Sequence, residues 1–363
     1  MEGFEMGKVK VLTARQAADL IKDGDTVTLS GFVANGIAEA LNTAAEERFL
    51  ETGHPRDLTL FWVAGTGNKD GSHADHYAHE GMVKKVIGGH FNFVPKICEM
   101  LSENKIEGYN VPQGAIAQML RDNAAHKVGT ISHVGIGTFA DPRNGGGRLS
   151  EKTKEDIVKV IELEGQEQLF YPRIPMDVAF IRGTYADELG NITLEKEMAP
   201  LDATSQAMAV HNNGGLVVVQ VERVVKAGHL DPKLVKIPGI YVDAVVECPA
   251  DDPKQSQSIN CTYDPAYAGN TQVPVSSLEP KKLDAKKIIG RRAAMELKKN
   301  VVVNLGVGVP EWVSSVAAEE GVADEMTLTV ECGPVGGVPG GGLRFGGSVN
   351  AQAYMDEGYQ FDF

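Results

Sequence analysis

Residues 26–49, TVTLSGFVANGIAEALNTAAEERF, set the reading of the fold. A β-branched, apolar run over 26–29 gives way to a loop bounded by Gly31 and Gly36, then to a helical stretch over 37–49. Strand, glycine loop and helix in that order open a βαβ unit. The loop is not a phosphate-cradling P-loop, because no Lys followed by Ser or Thr comes after Gly36. The same order returns over 301–320, VVVNLGVGVPEWVSSVAAEE. A unit used twice argues for two related α/β halves. The second loop is no dinucleotide fingerprint, since Glu311 stands where the third glycine of GxGxxG belongs.

Outward from the first unit, Thr13 and Gln16 have capping-box spacing for a helix over 13–21. Strands are expected over 58–63, 86–90, 106–111, 131–138, 178–182, 215–222, 234–237 and 241–246, with helices over 115–125 and 202–211. Leu189-Gly190-Asn191 between apolar runs signals a hairpin, and DPRNGGGR over 141–148 a loop. Residues 249–280 are polar and rich in Pro, Ser and Gln, which places a domain boundary there. The division is therefore 1–280 and 281–363, the second part opening with a basic amphipathic helix over 281–299 and still in apparent structure at 359–363.

The chain's 363 residues exceed one ordinary core and also suggest two domains. Apolar content of 42% and charged content of 23% are globular values. A net charge of −14 argues against a nucleic-acid partner, which needs clustered Lys and Arg. No apolar run is long enough to span a bilayer, and no secretory h-region opens the sequence. Cys98, Cys248, Cys261 and Cys332 form no CxxC pair, which fits reduced thiols in a cytoplasmic protein. His73, His76 and His79 would share one face of a helix and invite a metal reading; no Cys or carboxylate pattern completes a site, so a polar helix is the expectation.

Residues 326–347, MTLTVECGPVGGVPGGGLRFGG, carry the chemistry. A short buried strand ends on one carboxylate, Glu331, and then dissolves into Gly333, Gly336 and Gly337. Ligands of α/β proteins sit at strand carboxyl ends, and glycine lets backbone approach them closely. A strand-end Glu facing water beside a loop is the competing reading. Gln113, just ahead of a helix start, has an amide able to meet a ligand or to cap the helix.

From about Val9 to Phe363 the sequence resembles the family I CoA-transferases, most closely the propionate and acetate (short-chain acyl) branch. The resemblance rests on DGDTVTLSGF over 23–32 with Gly36-Ile37-Ala38, on NLGVGVP over 304–310, and on Glu331-Cys332-Gly333-Pro334. Cys332 departs from the Ser common in relatives. Fused family members are longer, so much of their second half would lie beyond Phe363.

The resemblance implies two related open α/β domains of the CoA-transferase type, the second incomplete. It implies CoA transfer between short-chain carboxylic acids (propionate, acetate, lactate, butyrate) by a ping-pong route through a glutamyl-CoA thioester on Glu331. Gly306, Gly308 and Val309, with Gly31 and Gln113 from the N-terminal domain, are the candidates to meet the oxyanions. Gly135 and Gly137 would shape the acid pocket, and Gly333, Gly336 and Gly337 would face CoA, with Lys226 or Arg344 near its phosphates. Coenzyme A is then a substrate, with no tightly bound cofactor and no metal. Acyl-CoA and small acids are the partners, with self-association into a dimer or tetramer and no membrane. A CoA hydrolase of the same fold and a non-catalytic CoA-binding module are the alternatives.

Overall fold

The computed structural model describes residues 7–356. The run at 359–363 lies outside them. The N-terminal part is built on an eight-stranded sheet, parallel throughout. Its spatial order is Lys10–Leu12, Ala244–Glu247, Leu216–Val221, Val178–Arg182, Thr26–Leu29, Leu58–Trp62, Val83–Gly88 and Glu107–Asn110. The chain builds outward from Thr26–Leu29 to Glu107–Asn110, then crosses back to Val178–Arg182 and builds the other way. The winding reverses between Val178–Arg182 and Thr26–Leu29, and such a reversal opens a crevice at the strand carboxyl ends.

Both faces of the sheet are covered, so its strands are apolar without alternating polarity. Along Val178–Arg182, Val178 and Phe180 enter one core cluster, while Ala179 and Ile181 enter the other. This is the two-residue side-chain period of a strand buried on both sides. The first face is covered by the helices Glu39–Thr52 and Pro95–Ser102 through Leu41, Ala44, Ala45, Ile97, Met100 and Leu101. The second face carries Gln113–Ala124 and Ala203–Asn212 through Ile116, Leu120, Ala207 and Val210. The capping box at Thr13 and Gln16 is present, on a shorter helix than expected, Ala14–Ala18.

The strand expected over 131–138 stops at Ser132. Gly135 and Gly137, at φ +101° and +74°, turn the chain there, which no extended strand allows. That short strand belongs to an antiparallel sheet with Gln166–Pro172 and Lys159–Leu163, a hairpin with no counterpart in the sequence reading. The hairpin at Leu189-Gly190-Asn191 joins Tyr185–Asp187 to Ile192–Thr193 as expected.

After the irregular 249–280 excursion, the helix expected over 281–299 is confined to Ala285–Ala294 and packs on Glu311–Glu319. Beside them Val302–Asn304 and Thr327–Thr329 pair in parallel, and Pro334–Val335 and Ala353–Tyr354 extend the sheet antiparallel. The local core is small: Leu305, Val313 and Leu328, with Val303 and Met326 against them. Packing does not stop at residue 280, because Val330, Cys332 and Phe345 belong to the large N-terminal cluster.

Candidate active site

Glu331 sits on a turn between Thr327–Thr329 and Pro334–Val335. The Gly333 N–H donates to the Val330 carbonyl at 3.1 Å, and the Val330 N–H donates to the Pro334 carbonyl at 3.1 Å. Glu331 and Cys332 are therefore the turn's two central residues. Gly333, at φ +136°, closes it, and a Cβ there would lie 2.7 Å from the Met355 carbonyl oxygen. On either side of the glutamate, Val330 and Cys332 are fully buried, and the Cys332 thiol donates to the Gly346 carbonyl at 3.1 Å.

The turn is tied to the N-terminal domain through residues 343–350. The rings of Phe32 and Phe345 stack with centroids 5.6 Å apart. Asn35 Nδ2 donates to the Phe345 carbonyl at 2.9 Å, and the Ser258 hydroxyl donates to that of Leu343. Arg344 reaches the Gln257 side chain and, at 2.9 Å, the Thr262 carbonyl. Arg344 is thus held inside the interface, while Lys226 is exposed. Consecutive carbonyls, Phe345 and Gly346, are gripped by Asn35 from the N-terminal part and Cys332 from the C-terminal part.

Glu331 is mostly buried. Its Oε2 is out of contact with solvent and has no hydrogen-bond partner among the described residues. Burial raises the carboxyl above its ordinary range, offset in part only by its own backbone amide. No cation is paired with it among the described residues. A desolvated carboxylate oxygen without a donor keeps its electron density for a reacting carbon.

The parallel register sets Asn304 beside Thr329. Both strands run the same way, so the 305–310 loop and the turn that carries Glu331 leave the same carboxyl edge. Within that loop the Gly308 N–H donates to Glu311 Oε1 at 2.7 Å. Among the described residues the amides of Gly306, Val307 and Val309 donate to nothing. Gly31 follows the Thr26–Leu29 strand at φ +141°, where a Cβ would lie 2.4 Å from Thr66 Cγ2. Gln113 opens its helix rather than preceding it, and its Cγ lies 2.5 Å from where Gly89 would carry a Cβ. Gly135 and Gly137 lie in the turn after Gly129–Ser132, and the Tyr171 hydroxyl donates to the neighbouring Val134 carbonyl. Gly336 and Gly337 close on their own chain: a Cβ at Gly337 would lie 2.2 Å from the Val349 carbonyl oxygen. Both also hold positive φ, +79° and +72°, which suits glycine.

The histidines form a carboxylate chain. His76 lies 2.7 Å from Glu39 and 2.5 Å from Glu46, and His79 lies 2.7 Å from Glu46. Burial disfavours the His76 imidazolium, but the two glutamates outweigh it and raise its pKa. The segment is a 3-10 turn, His73–Tyr77, which ends before His79. The sequence reading missed Asn35, Phe345, Ser258 and Glu311. Only Glu311 had a local signal, an acid directly after Gly308-Val309-Pro310 at a helix start.

A doubly wound parallel sheet is thus joined to a second α/β unit that presents a mostly buried carboxylate and a glycine loop at one carboxyl edge. Comparison with known proteins identifies the class: the coenzyme A transferase family model matches residues 11–248. The chain belongs to this family of enzymes. It is 43% identical over 360 residues to the acetate CoA-transferase YdiF of Escherichia coli (strain K12), covering 98% of this chain and 67% of that protein. Its identity to the caffeate CoA-transferase of Acetobacterium woodii is 41% over 353 residues, covering 97% of this chain and 67% of that one. The crystal structure of the acyl-CoA transferase YdiF apoenzyme from Escherichia coli O157:H7 superposes with a TM-score of 0.89 at 41% identity, over 98% of this chain and 67% of its own. No helix among the described residues is long and apolar enough to cross a membrane.

Proposed function

We propose that the protein transfers CoA between short-chain carboxylic acids, with Glu331 as the nucleophile. The observation that carries this reading is the buried, unpartnered Oε2 of Glu331 on a turn anchored at both sides. Support comes from the acetate and caffeate CoA-transferases it resembles, and from a YdiF structure described as a thioester complex with CoA, TM-score 0.90.

The ionised Glu331 oxygen attacks the thioester carbonyl of the donor acyl-CoA. The C–S bond breaks, CoA thiolate leaves, and an acyl-glutamyl anhydride remains. The thiolate then attacks the Glu331 Cδ, the Cδ–O bond to the acyl group breaks, and the donor acid departs as its carboxylate. Glu331 now holds CoA as a thioester. An acceptor carboxylate runs the same steps backwards and leaves as the new acyl-CoA. Each attack makes a tetrahedral oxyanion, and the unpartnered amides of Gly306, Val307 and Val309 are the candidate donors. Losing one such donor raises a barrier by on the order of 3 kcal/mol. Discrimination between acetate and propionate by one methylene is worth about 1–3 kcal/mol. The four cysteines are free thiols, in keeping with a reducing cytoplasm.

The test is mass spectrometry of the protein after incubation with acetyl-CoA or propionyl-CoA and borohydride or hydroxylamine. A CoA-dependent modification on the Glu331 peptide, absent in Glu331→Ala, is expected. Exchange that persists in Glu331→Ala would sink the assignment. Thioester loss that needs no acceptor acid would make the protein a hydrolase instead.

A further inference from the structure

The Glu311 carboxylate is buried at the start of the helix Glu311–Glu319 and binds two glycine turns at once. Oε1 accepts the Gly308 N–H at 2.7 Å, and Oε2 accepts the Gly342 N–H at 3.0 Å. The Glu311 backbone N–H returns a bond to the Gly308 carbonyl at 3.1 Å. Gly308 at φ +93° and Gly342 at φ +60° hold backbone conformations that suit glycine. Gly341 is extended at φ −123°, so its lack of a side chain is not a backbone demand. Its cause is space: a Cβ there would stand 2.5 Å from Glu311 Oε2. One carboxylate thus ties the 304–310 loop, which leaves the same sheet edge as the Glu331 turn, to the 340–344 turn, whose next residues carry the Phe345 and Gly346 carbonyls. The helix N-terminus favours a negative charge at this place.

We propose that Glu311 is a positioning residue for the transfer reaction: it fixes the Gly306–Val309 amides relative to the Glu331 turn. This rests on the nucleophile assignment above. Glu311 touches neither substrate nor Glu331 in this role. It acts through the geometry of two loops, where a displacement of about 1 Å costs on the order of 100-fold in rate.

The experiment compares the 363-residue protein with Glu311→Ala, Glu311→Gln and Gly341→Ala. The rate of CoA-adduct formation on the Glu331 peptide, steady-state exchange and amide hydrogen exchange over residues 305–311 and 340–345 are all measured. For Glu311→Ala we expect kcat lower by about 30- to 100-fold. The KM for acyl-CoA should stay within about threefold, because ground-state binding is not what the loops fix. Both glycine turns should lose amide protection while the Thr26–Leu29 strand keeps its own. Glu311→Gln, which retains one acceptor oxygen, should recover part of kcat. Gly341→Ala should reproduce the loss from the opposite side, and adding it to Glu311→Ala should cost nothing more. Wild-type kcat in Glu311→Ala, protection lost in only one turn, or full additivity of the pair would overturn the proposal. A wild-type protein that forms no adduct on Glu331 would instead bring down the nucleophile assignment, and this inference with it.

Discussion

Replacing Glu331 by Gln should stabilise the protein while abolishing transfer. The folded state buries the carboxylate with Oε2 unpartnered and raises its pKa by desolvation. A carboxyl whose folded pKa is raised binds its proton more tightly in the native state. Its stabilising contribution is complete below the ordinary value of 4.5 and is lost as pH rises through the folded pKa. Wherever the wild-type carboxyl is ionised, it carries a buried charge that the amide lacks. Gln still leaves one polar atom without a partner, so only the charged-minus-neutral difference is recovered, about 1–2 kcal/mol. Unfolding entropy near 2.1 cal/mol/K per residue, taken over 363 residues, converts this to a Tm rise of roughly 1–3 °C. Scanning calorimetry from pH 4 to pH 8 reads it directly. The gap between Glu331→Gln and wild type should be smallest at pH 4 and widen toward pH 8. A lower Tm for the variant at pH 8, or a gap that ignores pH, would refute the picture of a desolvated carboxylate.

Two further outcomes follow from the packing. Phe345→Ala removes a ring that is 2% exposed and stacked on Phe32, so about 3–5 kcal/mol should be lost in urea unfolding, together with exchange activity; an unchanged midpoint would mean the two domains are held elsewhere. Arg182→Met strands Glu197, its partner at 3.2 Å, in a site where both side chains are nearly inaccessible, at a cost of about 3–5 kcal/mol. Burial already raises the Glu197 pKa against the pull of Arg182, so losing the cation raises it further and the deficit should grow with pH. Midpoints at pH 5 and pH 8 check this, and adding Glu197→Gln should restore part of the loss.

The parallel sheet was legible because Val27, Leu29, Phe180 and Val218 fall in short apolar runs cut by glycine, and buried parallel strands consist of such runs. Glu331 was legible because one acid interrupts an apolar strand just before glycine. The hairpin Lys159–Leu163 and Gln166–Pro172 was not, since Lys159, Glu162, Gln166, Glu167 and Gln168 dilute its apolar residues and it lies at the flank. Phe345 sits among glycines, where composition suggests loop; its burial depends on Phe32, more than 300 residues away, and no local period encodes that. The ties at Asn35, Ser258 and Glu311 are side-chain bonds to backbone, which leave no trace in hydropathy. Gly333, Gly336 and Gly337 drew a ligand reading; all three hold positive φ, and a side chain at each would crowd Met355, Gln352 or Val349.

The grip on the Phe345 and Gly346 carbonyls has a consequence for protein engineering. The environment of Glu331 is assembled from both sides of residue 280, so it is not a portable property of the C-terminal part. A chimera that exchanges that part with a relative must bring along the 32–35 loop and the 256–258 corner, or rebuild the matching surface. Without them the glutamate would be hydrated, its acidity would return to that of a free side chain, and a correctly folded hybrid would be inert.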